Sequence, residues 1–257
     1  MLSRPRKRPI KVVEETISNA PHLEHGFIKR SRCQMEDVTE NNTSYSTRFN
    51  NNKRINYYVK TISKGGEIYK IHTHPKLDLG AMLPSIIDLI EMHQPNIIYI
   101  TKGKNIEGQV HFKLRSDAHN SFENFRQRVQ KTRQKLLDLN TAEKSVAFEL
   151  QESFAQNAYR VNLINELLNR ENGKKYLQKE IPQLITNQYN SEFTSFCLRN
   201  RLFNPEEIIN YLKYQNLFFD NNKKLELYKL LGIQIRFVPN KERGYAFDSK
   251  TTNFIKE

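Results

Sequence analysis

The chain has 257 residues and a formal net charge of +13, which gives room for one large or two small domains whose core needs no cross-links. Two cysteines, Cys33 and Cys197, are too few for a disulfide framework and fit a reducing compartment, so we expect a cytoplasmic protein, in a bacterial cytoplasm or, for a secreted effector, in a host cytosol. No apolar run approaches the roughly 18 residues that span a bilayer, and no apolar stretch follows the basic start, which argues against a membrane span and a signal peptide.

The chain begins with a basic stretch, residues 1 to 9, which we interpret as a disordered arm. Such an arm acts either as a solubilising tail or as an electrostatic contact to nucleic acid or an acidic membrane. A second basic stretch runs from Arg126 to Lys135 on a predicted helix, where a solvated helix face is the alternative to a binding surface. These stretches support a nucleic-acid-binding protein as one hypothesis, although no aromatic-basic signature or known nucleic-acid motif accompanies them.

A pair of histidines ends a predicted strand. The run from Gly66 to Ile71 is apolar and β-prone, and His72 and His74 follow it two positions apart. Because a strand has a period of two, both imidazoles are expected on the same face. Pro75 then makes it hard for the segment to continue as a central strand. The spacing therefore predicts a metal-chelating pair near the end of a strand.

A predicted helix follows from Pro84 to Met92, with a proline near its first turn. Ser85 and Asp88 lie three positions apart in it, so they share one helical face. Two imidazoles and one carboxylate, with a fourth position left open, are the ligand count of a catalytic zinc site, whereas a structural site is normally closed by four protein ligands.

These residues follow the order His-x-His-Pro, with ten residues between the second His and a Ser, and two residues between that Ser and an Asp. This order resembles the motif of the JAMM/MPN+ zinc metalloprotease family. The resemblance implies that His72, His74 and Asp88 bind Zn²⁺ and that Ser85 helps to hold the oxyanion. It also implies a glutamate from far upstream that activates the water bound to the zinc. For the fold it implies an α/β class, an α+β sandwich of a mixed sheet with helices, over about the first 115 residues.

Glu24 is the candidate for the upstream glutamate, because it stands in a Glu-x-Gly-apolar order that resembles the family's segment. The match departs from the family pattern at His25, where a second glycine or a small residue is common, and at Lys29, where glycine often follows. Glu67 is discounted, since its parity on the strand puts it on the face opposite the two histidines. The rivals that stay open are Glu14, Glu15, Glu36 and Glu40.

The family resemblance implies hydrolysis of a peptide or isopeptide bond after the C-terminal glycines of ubiquitin or a ubiquitin-like protein. The expected partners are then conjugates of such a protein. An MPN-type scaffold that binds partners without hydrolysis is the alternative within the same resemblance. The nucleic-acid hypothesis stands beside both, and the two functions do not exclude each other.

Further strands are predicted on both sides of the motif. The run from Asn96 to Ile100 is continuously apolar, as in a strand buried on both faces, and the run from Val110 to Leu114 alternates, as in a half-exposed strand. A hairpin is expected between the run from Ile55 to Ile62 and the strand that carries the histidines.

The second half of the sequence has a mainly helical pattern. An apolar stripe runs from Leu150 to Leu168 and is expected to end at Asn172 and Gly173. Asn204 and Pro205 predict the start of a further helix, and a late strand is expected from Ile233 to Phe237. We thus predict a basic arm at residues 1–9, a JAMM/MPN-like metalloprotease domain at 10–115, and a mainly helical domain of unknown role at 116–257.

Overall fold

A computed structural model of the chain describes residues 26–30, 36–37, 39–42, 47–49, 68–74, 83–90, 97–103, 108–142, 148–182, 188–239, 245–248 and 253–256. The chain divides into two compact units. The first, the sheet unit, contains the strands, and the second, the helical unit, consists of Ser85–His93 and Arg115–Ile233. The predicted division after residue 115 stays a prediction.

The sheet unit contains ten described strands. In chain order they are β1 Gly26–Arg30, β2 Glu36–Asp37, β3 Thr39–Asn42, β4 Thr47–Phe49, β5 Ile68–His74, β6 Ile97–Gly103, β7 Gly108–Leu114, β8 Ile233–Pro239, β9 Tyr245–Asp248 and β10 Asn253–Lys256. Eight of them form one sheet in the order β10-β9-β8-β7-β6-β5-β1-β2, while β3 and β4 pair with each other. β5 runs antiparallel to β1 and parallel to β6.

The strands expected from the apolar runs around the motif are confirmed as β5, β6 and β7, and the late strand is confirmed as β8. β7 shows the expected alternation, because Val110, Phe112 and Leu114 are buried while the residues between them are half-buried. One of these is His111, whose pKa is lowered to about 4, chiefly by burial and also by the charge of Arg236. The predicted hairpin partner, Ile55 to Ile62, lies outside the described residues.

The helical unit contains the seven described helices. They are α1 Ile86–Ile90, α2 His119–Ala142, α3 Phe148–Leu168, α4 Glu171–Lys179, α5 Gln188–Arg199, α6 Pro205–Tyr214 and α7 Asn221–Leu230. Apolar side chains at steps of three and four residues line the faces that meet, as expected of amphipathic helices. The fully buried members include Phe122, Phe125 and Val129 on α2, Val161, Ile164 and Leu167 on α3, and Phe193 and Leu225 on α5 and α7.

The predicted fold class is wrong. We expected an α/β fold, an α+β sandwich of a mixed sheet with helices, followed by a mainly helical region. Most of the described residues in regular structure are helical, and in the described chain α2 to α7 follow one another without an intervening strand. The physical reason is that these helices bury their apolar stripes against one another, with α3 packed on α2, α4 and α6, instead of alternating with the strands as sandwich layers would.

Gly173 does not end the long helix, as its position after the apolar stripe predicted. α3 ends at Leu168, and Gly173 is the third residue of α4. The extended backbone of Arg170 makes the break. A Cβ added at Gly173 would lie 2.4 Å from the backbone oxygen of Leu167, so glycine is required here because the start of α4 approaches the end of α3 closely.

The predicted start of α6 is confirmed. Asn204 is the N-cap, Pro205 occupies the first turn, and a complete capping box is present. The Asn204 side chain accepts from the backbone N–H of Glu207 at 2.9 Å, and the Glu207 carboxylate accepts from the backbone N–H of Asn204 at 2.9 Å. The two bonds satisfy donors that the helix itself leaves unpaired.

An ion pair between a partly exposed arginine and a buried glutamate links three helices of the helical unit. Arg170 Nε donates to Glu166 Oε1 at 3.0 Å, and the Glu166 side chain is 7% exposed. The same guanidinium donates through Nη2 to the backbone oxygen of Ser121 at 2.6 Å and through Nη1 to that of Leu230 at 3.2 Å. Arg170 therefore neutralises a buried carboxylate of α3 and holds backbone groups of α2 and α7 at the same time.

Candidate metal and catalytic site

The histidine pair lies on β5, as predicted. The backbone of His72 is paired with Gly26 of β1 and with Thr101 of β6, and His74 is paired with Gly103. β5 is thus hydrogen-bonded on both sides, and the period of two gives positions 72 and 74 the same strand parity. The two imidazoles lie outside the part of the structure whose side chains are described.

Both faces of β5 are covered next to the histidines. Lys70, which has the same parity as positions 72 and 74, is 3% exposed, and Thr73, which has the opposite parity, is 1% exposed. A strand that is paired along both edges and covered on both faces holds its backbone rigidly. Such a strand is a suitable support for ligands whose geometry must be fixed.

The second half of the motif lies at the start of α1, in the helical unit. Ser85 precedes the helix, and its backbone oxygen accepts from the N–H of Leu89 at 3.2 Å. Asp88 Oδ2 accepts from the backbone N–H of Ser85 at 2.7 Å, and the N–H of Asp88 donates to Ser85 Oγ at 3.2 Å. Ser85 and Asp88 are therefore brought together as predicted, and they form a capping box at the helix start.

A third hydrogen bond bears on the role expected for the serine. Ser85 Oγ donates to Asp88 Oδ2 at 2.7 Å. A hydroxyl has one hydrogen, so in this state Ser85 uses it to hold the carboxylate. For Ser85 to donate to an oxyanion, as the family resemblance implies, this hydroxyl must first rotate away from Asp88.

Asp88 interacts electrostatically with Lys224 and Tyr228 of α7. The pKa of Lys224 on α7 is lowered to about 8, chiefly by burial and also by Arg160 on α3, while Asp88 opposes the lowering. Burial raises the pKa of Tyr228; there Arg160 opposes and Asp88 adds to the rise. The Lys224 ammonium lies 5.6 Å from the centre of the Tyr228 ring. These groups gave no signal in the sequence, because they are far from Asp88 along the chain and belong to no motif.

The upstream glutamate is expected just before β1. Glu24 lies outside the described residues, as do its rivals Glu14 and Glu15 and the discounted Glu67. The remaining rivals are placed on strands, Glu36 on β2 and Glu40 on β3, and their side chains are outside the description.

The start of β1 is fixed by two hydrogen bonds. The Gly26 N–H donates to Thr39 Oγ1 at 2.9 Å, and the Thr39 hydroxyl donates to the Gly26 oxygen at 3.3 Å. Gly26 is also the register partner of His72. Gly26, two positions after Glu24 in the sequence, therefore lies beside the strand of the histidines.

The donor types of the motif fit zinc, since imidazole and carboxylate are both ordinary zinc ligands. The bonds from Ser85 to Asp88 fit as well, because carboxylates that bind metals are themselves hydrogen-bonded. Lys224 acts in the opposite direction, since a cation near Asp88 opposes a divalent ion there. In the part of the chain whose side chains are described, no group of three His, Cys, Asp or Glu residues is placed to hold a metal ion, and the two motif histidines are not in that part.

Comparison with known proteins gave no match, either to a family model or to a curated protein. None of the helices in the described ranges has the length and apolar character that crossing a membrane requires.

Proposed function

We propose that the chain is a JAMM-type zinc metallopeptidase that hydrolyses a peptide or isopeptide bond, in a cytoplasmic setting. The observation that carries the proposal is the Ser85–Asp88 arrangement: a carboxylate held at 2.7 Å by both a backbone N–H and a hydroxyl, at the spacing from the His-x-His strand that the motif requires. The proposal depends on the motif and on this arrangement, and not on the family's fold.

In this proposal His72, His74 and Asp88 hold Zn²⁺. The ion would supply Lewis acidity and make a water molecule acidic enough to serve as the nucleophile near neutral pH. Asp88 is kept in place by Ser85, which lowers the entropic cost of presenting the carboxylate to a metal.

Glu24 is proposed as the general base. In the sequence Glu24 stands two positions before Gly26, which is the register partner of His72. The Glu24 carboxylate takes a proton from the attacking water and later delivers one to the leaving amine, so it ends the cycle unchanged. Ser85, once its hydroxyl turns from Asp88, donates to the oxyanion that forms on the substrate carbonyl.

The proposed substrates are conjugates of ubiquitin or a ubiquitin-like protein, cut after the C-terminal glycines. The test is incubation of the zinc-loaded protein with a panel of such conjugates, joined through a lysine side chain or an α-amine, with and without a chelator. We expect at least one conjugate to be cleaved, cleavage to stop with the chelator, and activity to return when zinc is restored. Cleavage that continues in the chelator would contradict the metal requirement. Zinc binding without any cleavage would instead support the non-hydrolytic MPN-type scaffold.

A further inference from the structure

A polar cleft of about 690 Å³ lies within the helical unit, between α2, α3 and the segment that begins α6. Four basic residues line it, namely Arg128, Lys131 and Lys135 from α2 and Lys174 from α4. Volumes of about 300–1,000 Å³ are typical of sites that hold small ligands or short segments of a larger one. The cleft is therefore large enough to bind a ligand and is lined mainly by polar groups.

The basic residues of α2 form one stripe. Arg128, Lys131 and Lys135 are separated by steps of three and four residues, so they share a helix face, and all three are exposed. Their separations along the helix axis are about 4.5 Å and about 6 Å. A row of cations at these intervals suits a ligand that carries repeated negative charges.

Acidic groups reduce this positive charge but do not cancel it. Glu206 and Glu207 also line the cleft, and the Glu207 carboxylate is engaged in the capping box of α6. Beneath the stripe, Glu166 lies 3.9 Å from Arg128 and 3.0 Å from Arg170. Four cations against two lining carboxylates leave an excess of positive charge, in a chain whose net charge is +13, and such a cleft attracts anions.

Amide side chains form much of the remaining lining. Asn162 donates to Thr132 Oγ1 at 2.8 Å, and Asn165 donates to the backbone oxygen of Glu207 at 3.3 Å, which fixes two of them in the wall. Asn169 and Asn210 are less buried and also line the cleft. An amide presents both donors and an acceptor, so it can hydrogen-bond to the edges of nucleic-acid bases.

We propose that this cleft binds single-stranded nucleic acid, with its cations against the phosphates and its amides against base edges. A single strand can enter a concave cleft, whereas a duplex is read by elements that protrude into its grooves. Phe203, the aromatic residue of the lining, is 8% exposed, so base stacking contributes little. Binding then depends chiefly on phosphate contacts, with strong salt dependence and weak sequence preference. This activity is independent of the zinc site.

The test measures binding of the full chain to labelled oligo-dT and oligo-U by fluorescence anisotropy over a series of salt concentrations. The critical variant is Lys131→Gln/Lys135→Gln, in which both changed residues are exposed. Because each phosphate contact on a single strand contributes a slope of about 0.7 in the log–log plot of affinity against salt, the variant should flatten the slope by about 1.4. The basic arm at residues 1–9 is the same in every sample, so the difference isolates the cleft.

The matched control is Arg133→Gln/Arg199→Gln, which removes the same charge from exposed residues that do not line the cleft. This control should keep the wild-type slope. Equal flattening in both double variants would overturn the proposal, because binding would then follow net charge alone. It would also be overturned if neither oligonucleotide bound at low salt, or if a polyglutamate peptide of equal charge displaced the oligonucleotide as well as unlabelled strand does.

Discussion

Arg170→Ala is expected to lower the free energy of unfolding by about 3 kcal/mol, because it leaves a carboxylate buried without its principal partner. Glu166 is 7% exposed and depends on Arg170 at 3.0 Å, with Arg128 further away at 3.9 Å. The change also removes donors from the backbone oxygens of Ser121 and Leu230. Urea unfolding followed by circular dichroism measures the loss.

Two further variants separate the buried charge from the other contacts of Arg170. In Glu166→Gln/Arg170→Ala no buried charge remains, so part of the stability should return. Lys175→Ala breaks a pair with Glu171 whose side chains are 64% and 79% exposed, and its effect should be small, as for most exposed ion pairs. If Arg170→Ala lowers the free energy of unfolding no more than Lys175→Ala does, Arg170 does not link the helices as described.

Glu24→Gln is expected to reduce the rate of hydrolysis by roughly 100-fold or more while zinc stays bound, in line with the contribution of a positioned base. Glutamine preserves the size and hydrogen bonding of the side chain but cannot accept the proton. The measurement is the initial rate on whichever conjugate the panel identifies, with zinc determined on the same samples. Ser85→Ala is the comparison, and its rate should fall less, since the metal still stabilises the oxyanion.

Two outcomes of the Glu24→Gln experiment would contradict the role proposed for this residue. Full activity would show that another carboxylate is the base, with Glu14 and Glu15 as the next candidates. Loss of zinc together with activity would give Glu24 a role in holding the metal or the fold. Either outcome would contradict the role proposed for Glu24 and leave the three proposed ligands to be tested separately.

Features with a local cause could be predicted from the sequence. The helix start at Asn204 and Pro205 depends on neighbouring residues and is present as expected, and the structure adds a capping box between Asn204 and Glu207. Ser85 and Asp88 were expected on one helical face for the same reason, and they are in contact. The strand at His72 and His74 follows from an apolar run of period two, and it forms.

Features that depend on distant residues could not be predicted in this way. Gly173 looked like a helix end, but its role is set by the backbone oxygen of Leu167, which only tertiary packing brings close. The charge of Lys224 acts on Asp88 from another helix. The fold class was wrong for a similar reason: it came from the motif, and a motif of a few residues does not determine how the long helices pack.

At the basic stretch from Arg126 to Lys135, the structure shows a cleft that the sequence did not predict. The helix was expected and is α2, but a helix alone does not distinguish a solvated face from one side of a cleft. Arg126 is paired with Glu123 at 2.5 Å, whereas Lys131 and Lys135 line the cleft. The distinction comes from α3, α4 and the start of α6, which supply the other walls.

The proposed hydrolase depends above all on the metal, and zinc content tests it most directly. Elemental analysis after mild dialysis should find one zinc per chain in the wild type and none in His72→Ala/His74→Ala, because two of three ligands are lost. His119→Ala should keep its zinc. Asp88→Asn should lose zinc. Asp220→Asn, which alters the N-cap carboxylate of α7, should retain it. The comparison separates loss of a helix cap from loss of a metal ligand. Zinc retained at one per chain in the double histidine variant would contradict the account.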